Sequence, residues 1–156
     1  TQRGLDNARA IAKAAPQVST LFLGYADFSG EIGSDMSQGA LHHLRNRIVL
    51  AASEAGLDAM DGPFFQPNET TGLLEETKAV AAMGFTGKAS YDAQQIPHIN
   101  GVFTPDAEAI DYARRVKSAV EASPTGAARV DGKAVNKANV KSADIVLETA
   151  KRRGVL

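Results

Sequence analysis

Short apolar segments without helical periodicity alternate with longer segments whose apolar residues recur at helical spacing, and this alternation constrains the fold most strongly. The short segments cover residues 19–25, 57–61 and 85–91, and their pattern is typical of buried strands. A helical crossover between two strands returns the chain to the same end of a sheet, so consecutive strands pair in parallel. The sequence therefore predicts an α/β fold.

The segments with helical spacing predict five helices, and most of them are followed by a residue that ends a helix. We expect these helices within residues 5–15, 41–55, 73–81, 104–120 and 140–150. Pro16, Gly56 and Gly84 follow the first three helices. Thr104 is the expected N-cap of the fourth helix, with Pro105 in its first turn.

Each predicted strand is followed by an acidic residue, namely Asp27, Asp61 and Asp92, at intervals of 34 and 31 residues. A TIM barrel of roughly 250 residues has about 31 residues in each of its eight βα units, and it carries its chemistry at the carboxyl ends of the strands. The sequence shows three strands rather than eight, which leaves two architectures open. One is a small open sheet that is complete in itself, and the other is the C-terminal half of a barrel. Unpaired sheet edges in an unclosed half barrel favour the open sheet.

Composition argues against several classes of function. The chain has 17 Lys and Arg against 18 Asp and Glu, a net charge of −1, so we expect neither nucleic acid nor a membrane surface as partner. The absence of cysteine excludes disulfides, thiolate metal sites and a cysteine nucleophile. No apolar run reaches the roughly 18 residues of a membrane span, and the N-terminus lacks the pattern of a signal peptide. A cytoplasmic protein is expected.

Several motifs, taken together, resemble one known family. They are Leu-Gly-Tyr-Ala-Asp-Phe at 23–28, Gly-Leu-Asp-Ala-Met-Asp-Gly-Pro at 56–63, Met-Gly-Phe-Thr-Gly-Lys at 83–88 and Asp-Gly-Lys-Ala-Val-Asn-Lys at 131–137. In this order and at these distances they resemble the C-terminal half of the citrate lyase β-subunit-like CoA-ester lyases, which are grouped with the HpcH/HpaI aldolases. The resemblance implies the C-terminal half of a TIM (β/α)8 barrel over residues 1–122 and a C-terminal helical extension or lid over residues 123–156.

The same resemblance implies an activity and partners. The expected activity is a carbon–carbon lyase that uses Mg²⁺ and cleaves a 3-hydroxyacyl-CoA of the malyl-, citramalyl- or citryl-CoA type into acetyl-CoA and a 2-oxo acid. The expected partners are these substrates, the missing N-terminal half of the barrel and further copies of the chain, as a trimer or a multiple of one. Two alternatives stay open: a metal-dependent pyruvate aldolase acting on free hydroxy-oxo acids, and an inactive half-barrel binding module.

Asp27 is the main candidate for a metal ligand. A carboxylate at a strand's carboxyl end, after Gly24 and the small Ala26, leaves room for a hard cation, and Mg²⁺ binds one or two carboxylates together with waters and substrate oxygens. By the resemblance Asp27 is the second metal carboxylate, and the first is a Glu one residue before Thr1. The backbone N–H groups of Ala26 and Asp27 are then expected to bind the carboxylate of the oxo acid. The structural alternative is that Asp27 caps a helix or loop.

Asp61, Lys88 and Asn136 complete the predicted site. Asp61 is a candidate for substrate binding on the same rim, although its sequence context is also an ordinary turn. Lys88 is a candidate to neutralise a carboxylate or a CoA phosphate, or else to form a partly buried salt bridge. The resemblance aligns Asn136 with an Asp that acts across a subunit boundary as general acid/base. An amide does not exchange protons at neutral pH but donates a hydrogen bond to an enolate oxygen, and Asn136 is also a candidate N-cap.

Overall fold

The chain folds into two units, Thr1–Phe103 and Thr104–Leu156. The structure is a computed structural model that describes all residues from 1 to 156. The elements of the first unit are α1 (Gln2–Asp6), α2 (Ala8–Ala12), β1 (Thr20–Phe22), α3 (Tyr25–Ile32), α4 (Gln38–Ala55), β2 (Asp58–Asp61), α5 (Thr70–Met83), β3 (Gly87–Lys88), a 3-10 turn (Ala93–Gln95) and α6 (Ile96–Phe103). Those of the second unit are α7 (Ala107–Glu121), β4 (Ala127–Val130), β5 (Lys133–Asn136) and α8 (Lys137–Arg152). None of these helices combines the length and apolarity that crossing a membrane requires.

The first unit is built on a parallel sheet of three strands in the order β1-β2-β3. Thr20 of β1 lies opposite Asp58 of β2, and Met60 of β2 lies opposite Gly87 of β3. Helix α4 leads from β1 to β2 and α5 leads from β2 to β3. The predicted α/β class and the parallel pairing of the three predicted strands are confirmed.

The two faces of this sheet differ in burial. Leu21 and Ala59 are in register and buried on the face against which α4 packs. On the opposite face Phe22 is 53 % exposed, and Met60, its partner in register, is 38 % exposed. Parallel sheets are normally covered on both faces, so one apolar face of this sheet has no cover within the described chain.

The ends of α4 and α5 follow the sequence prediction. Gly56 and Gly84 adopt φ angles of 69° and 103° directly after these helices, a conformation that glycine adopts without steric cost. The buried face of α4 carries apolar residues at helical spacing, namely Leu41, Leu44, Ile48, Ala51 and Ala52. The first predicted helix, by contrast, is two short helices, α1 and α2, that meet at Asn7.

Two helices were not predicted, and one cap was assigned to the wrong residue. Helix α3 has only 8 residues, which is shorter than the window in which helical periodicity is reliable. Helix α6 contains Pro97 next to its start, where a proline is tolerated, and none of the predicted helices covers it. The N-cap of α7 is Asp106 rather than Thr104, because the Asp106 carboxylate accepts a hydrogen bond from the Ala109 N–H at 2.8 Å.

The second unit consists of α7, α8 and the antiparallel hairpin of β4 and β5. Asp131 and Gly132 form the turn of the hairpin with φ angles of 49° and 77°, as in the two-residue turns that suit twisted strands. The buried core of this unit contains Ala113, Val116, Val120, Val130, Val135 and Ala143. Because α7 packs with these elements, the structural division falls at 103/104, earlier than the predicted boundary at 122/123.

Candidate active site

The start of α3 is an uncapped helix end at the carboxyl end of β1. Gly24 is the N-cap residue, and no side chain accepts a hydrogen bond from the first turn. Tyr25, Ala26 and Asp27 are the first three residues of the helix. Their N–H groups lack acceptors within the helix and carry its partial positive charge. This end can therefore bind an anion through backbone N–H groups. The substrate-binding role of Gly24, Ala26 and Asp27 stays a prediction.

Asp27 is exposed and makes no hydrogen bond or ion pair within the chain. It follows β1, as predicted, but it lies in the first turn of a helix rather than in a loop. An acidic residue in the first turn of a helix is stabilised by the helix dipole. This resembles the structural alternative for Asp27, which was to cap a helix or loop. The same exposure and lack of a partner leave the carboxylate available to a cation.

A second carboxylate and the first residue of the chain lie on the same side of α3. Glu31 follows Asp27 by one turn and therefore lies on the same helix face. The Thr1 amino group is 3.9 Å from Glu31 Oε2, so a residue preceding Thr1 would enter beside this face. The chain holds no group of three or more His, Asp or Glu placed to bind a metal ion. Asp27 thus fits Mg²⁺ as one carboxylate of a site whose other ligands come from elsewhere, an arrangement that Mg²⁺ accepts.

Asp61 and Lys88 lie in a buried network of charges rather than in a cavity. Arg45 of α4 donates from Nε to Asp61 Oδ1 at 3.0 Å and from Nη2 to Asp61 Oδ2 at 2.9 Å. Lys88 Nζ donates to Asp61 Oδ2 at 2.8 Å, to the Gly62 carbonyl at 2.8 Å and to Glu76 Oε1 at 2.5 Å. Arg45 is 1 % exposed and Asp61 is 0 % exposed. We call Arg45, Asp61, Glu76 and Lys88 the buried charge network.

The geometry of this network favours a structural role over the predicted contact of Asp61 and Lys88 with substrate. An ammonium group has three donors, and Lys88 uses all of them within the chain. Both oxygens of Asp61 accept from Arg45. The two cations and two anions also compensate each other, which is what buried charges require. These two residues therefore differ from the exposed Asp27. Asp61 and Lys88 are the last residues of β2 and β3, whereas Asp27 follows β1.

Sequence reasoning missed two members of the network, Arg45 and Glu76. It missed Arg45 because an arginine on a helix is ordinarily solvated or paired at the surface. The signal was its position within the apolar stripe of α4, next to Leu44 and one turn from Leu41 and Ile48. A charged residue on the face of a helix that packs against a sheet needs a buried partner. Asp61 is that partner.

Three aromatic side chains join the loops that follow the three parallel strands. The rings of Tyr25 and Phe65 meet edge to face with centroids 5.9 Å apart, and those of Phe65 and Tyr91 are 5.3 Å apart. The Tyr25 hydroxyl donates a hydrogen bond to the Pro63 carbonyl. Burial, with smaller contributions from Glu76 and Asp61, raises the pKa of Tyr25 above its ordinary value. Sequence analysis did not single out these residues.

Asn136 is the N-cap of α8 in the second unit. Its Oδ1 accepts a hydrogen bond from the Ala138 N–H at 2.9 Å, and its own backbone N–H donates to Asn139 Oδ1 at 2.8 Å. These reciprocal bonds form a capping box. The geometry matches the structural alternative for Asn136, and its catalytic role stays a prediction.

Comparison with known proteins identifies the family. The sequence profile of the HpcH/HpaI aldolase/citrate lyase family matches residues 1–93, which include β1 to β3 and Asp27. The chain belongs to this family. The resemblance carried by the motifs is thereby confirmed.

Relatives in this family match nearly the whole chain. The chain is 31 % identical to the citrate lyase subunit beta of Haemophilus influenzae over 153 residues, which are 95 % of the chain and 53 % of that protein. It is 27 % identical to an L-malyl-CoA/beta-methylmalyl-CoA lyase of Cereibacter sphaeroides over 169 residues, which cover 94 % of the chain and 53 % of that enzyme. The chain thus spans about half the length of the curated relatives it matches.

A solved structure shares the fold and contains ligands. It is the protein CitE from Mycobacterium tuberculosis in complex with magnesium, acetoacetate and coenzyme A. It is 30 % identical to the chain, with a TM-score of 0.79, and the match covers 97 % of the chain and 58 % of that protein. The family relatives therefore include proteins named as carbon–carbon lyases and one that binds magnesium.

Proposed function

We propose that this chain is the C-terminal half of a CoA-ester lyase that requires Mg²⁺. The enzyme would cleave a 3-hydroxyacyl-CoA of the malyl-, citramalyl- or citryl-CoA type into acetyl-CoA and a 2-oxo acid. One observation carries the proposal: the exposed, unpaired carboxylate of Asp27 lies in the uncapped first turn of α3. Family membership and the names of the relatives support it.

The half-barrel architecture is part of this proposal. Strands β1 and β3 each pair on one side only, and the face with Phe22 and Met60 is uncovered. A closed barrel would pair both edges and bury that face. The relatives are about twice as long as the chain, which is long enough to supply the remaining strands. In this arrangement residues 1–122 contribute to the barrel and residues 123–156 form the extension.

At the site, the chain would bind the oxo acid through backbone groups. The N–H groups of Ala26 and Asp27 would donate to the substrate carboxylate, and Gly24 leaves space for it because it has no side chain. The Asp27 carboxylate would hold Mg²⁺ together with a carboxylate from a residue preceding Thr1. When bound, the metal supplies positive charge that stabilises the oxygens of the oxo acid as the carbon–carbon bond breaks.

Asn136 keeps a proposed role as a hydrogen-bond donor. In a homo-oligomer, a trimer or a multiple of one, the amide of a neighbouring copy would donate to the enolate oxygen of the acetyl-CoA formed. An amide does not deliver protons, so the proton for the acetyl carbon would come from water or another group. This assignment rests on the family resemblance.

The decisive experiment measures cleavage of malyl-, citramalyl- and citryl-CoA by the full-length protein, with and without Mg²⁺. Asp27→Asn keeps the shape of the side chain and removes its charge, so we expect turnover to fall by roughly 100-fold or more, since even indirect supports of a metal cost about 10- to 100-fold. Glu75→Gln is the matched control because Glu75 is another exposed, unpaired acid of the same unit, and it should leave turnover unchanged.

Three outcomes would contradict the proposal. Normal turnover and retained Mg²⁺ dependence in Asp27→Asn would show that Asp27 is not a ligand of Mg²⁺. Activity on free hydroxy-oxo acids without activity on any thioester would indicate the pyruvate aldolase instead. Binding of a thioester without cleavage under any condition would indicate a binding module.

A further inference from the structure

Tyr25 links the start of α3 to the loop that follows β2. It is 3 % exposed and lies two residues before Asp27, at the first position of the helix. Its hydroxyl donates to the Pro63 carbonyl, and its ring meets the ring of Phe65 edge to face. The residue adjoining the proposed metal carboxylate is therefore anchored to the next βα loop of the sheet.

Gly62 shows how closely the two loops approach. A Cβ atom at this position would lie 2.4 Å from Tyr25 Cε1 and 2.9 Å from the Leu23 carbonyl oxygen, and real Cβ atoms do not approach other atoms so closely. The Tyr25 ring thus lies directly on the backbone of Gly62. Only glycine leaves room for a ring at this place.

The Tyr25 ring also lies close to the buried charge network. The Arg45 guanidinium carbon lies 5.4 Å from the ring centroid, within the range of a cation–π contact. Asp61 holds the same guanidinium by two hydrogen bonds, so the cation under the ring is fixed. The phenol is a hydrogen-bond donor, and its bond to the Pro63 carbonyl fixes the far end of the side chain.

We propose that Tyr25 is a positioning residue for Asp27. By tying the first turn of α3 to Pro63 and to Arg45, it holds the Asp27 carboxylate and the backbone N–H groups of the helix start in one orientation. Since α3 has no side-chain cap, the Tyr25 side chain supplies an anchor that the helix end otherwise lacks. This inference rests on the proposed function, because it takes Asp27 as a ligand of Mg²⁺.

The test compares Mg²⁺ affinity in two variants of the full-length protein that each lose one buried hydroxyl. Tyr25→Phe keeps the ring and removes the bond to Pro63. Thr77→Val is the matched control, because Thr77 is fully buried and its hydroxyl donates to the Leu73 carbonyl at 2.6 Å within α5. Isothermal titration with Mg²⁺ gives the Kd, and urea unfolding gives the stability of each variant. We expect Tyr25→Phe to raise the Kd about 5- to 10-fold and Thr77→Val to leave it unchanged.

A second variant serves if Tyr25→Phe does not fold. Phe65 is partly exposed, and Phe65→Leu removes only the ring that supports Tyr25 from outside. We expect a rise in the Mg²⁺ Kd of about 2- to 3-fold, in line with the energy of one aromatic pair. Unchanged Kd values in both variants, or an equal rise in Thr77→Val, would overturn the inference.

The same titration separates this inference from the proposed function. Asp27→Asn should abolish measurable Mg²⁺ binding if Asp27 is a ligand. Loss of binding in Asp27→Asn with a normal Kd in Tyr25→Phe would refute only the positioning role. A normal Kd in Asp27→Asn would refute the proposed function itself.

Discussion

The two units of the chain place the same types of charged residue in opposite environments. In the first unit, Arg45 and Lys88 pair with Asp61 and Glu76, and all four side chains are at most 9 % exposed. In the second unit, Arg115 pairs with Asp111 and Asp131 at the surface. The hydrogen-bond lengths are similar in both places. Their energetic consequences differ because water screens one set and not the other.

The number of ion pairs in each unit does not measure how much stability is lost when one charge is removed. A buried pair contributes little net stability over apolar packing, but the loss of one partner leaves a charge without compensation. An exposed pair contributes little to stability, and the loss of one partner costs little, because water solvates the charge that remains. Removal of a single charge should therefore be severe in the buried charge network and mild at Arg115.

The largest loss of stability is expected for Asp61→Asn. This change preserves the shape of the side chain and leaves the buried charge network with one excess positive charge. We expect a loss of about 3–5 kcal/mol in the free energy of unfolding, measured by urea denaturation. Asp131→Asn is the control in the exposed set and should shift the urea midpoint only slightly.

A double variant sharpens this result. Lys88→Met combined with Asp61→Asn restores charge balance, since Arg45 and Glu76 remain. The double variant should recover part of the stability that Asp61→Asn loses. A double variant with a lower free energy of unfolding than Asp61→Asn would show that charge compensation does not stabilise the buried charge network.

An intermediate loss of stability is expected when the N-cap of α8, Asn136, is replaced. Asn136→Ala removes the acceptor for the Ala138 N–H and should lower the free energy of unfolding by about 1 kcal/mol. Asn136→Asp keeps an acceptor at the same position, so it should retain nearly the stability of the original chain. Circular dichroism during urea denaturation measures both. Equal losses in the two variants would show that capping is not what Asn136 contributes to stability.

The smallest effect on stability is expected for Arg115→Gln. The hydrogen bond from Arg115 lowers the pKa of Asp131 below its ordinary value. A lowered pKa in the folded state contributes stability above the pKa of the unfolded chain, and this is lost as pH falls through the folded pKa. Arg115→Gln should therefore raise the pKa of Asp131 and reduce the dependence of stability on pH below about pH 4.

Carboxyl NMR titration of Asp131 measures this change directly. Arg114→Gln is the matched control, because Arg114 is the exposed neighbouring residue and makes no contact with Asp131. It removes the same charge without removing the hydrogen bond. A shift of equal size in both variants would mean that the general field of the unit, rather than the Arg115 contact, lowers the pKa.

The predictable parts of the fold are those marked by a pattern of residues close together in the chain. The three parallel strands and the ends of α4 and α5 followed from apolar spacing and from Gly56 and Gly84. Helix α3 did not, since its 8 residues are too few for helical periodicity to be reliable. The hairpin of β4 and β5 did not either, because only one residue in each strand is buried, so neither strand has the apolar run of a buried strand. The position of Asp27 after β1 follows from strand order alone, whereas its place in the first turn of α3 does not.

The amino-acid sequence by itself determined the three strands of the parallel sheet, the helices between them and the family motifs, since these depend on residues close together in the chain. Only the tertiary structure decided which acidic residues at the strand ends are buried and which are exposed. Asp61 is separated from Arg45 by 16 residues and from Lys88 by 27, and their pairing depends on how α4 and β3 pack beside β2. Asp27 is exposed and forms no ion pair within the folded chain. Burial of a charge is a property of its neighbours in space, and the neighbours of these carboxylates are distant in sequence.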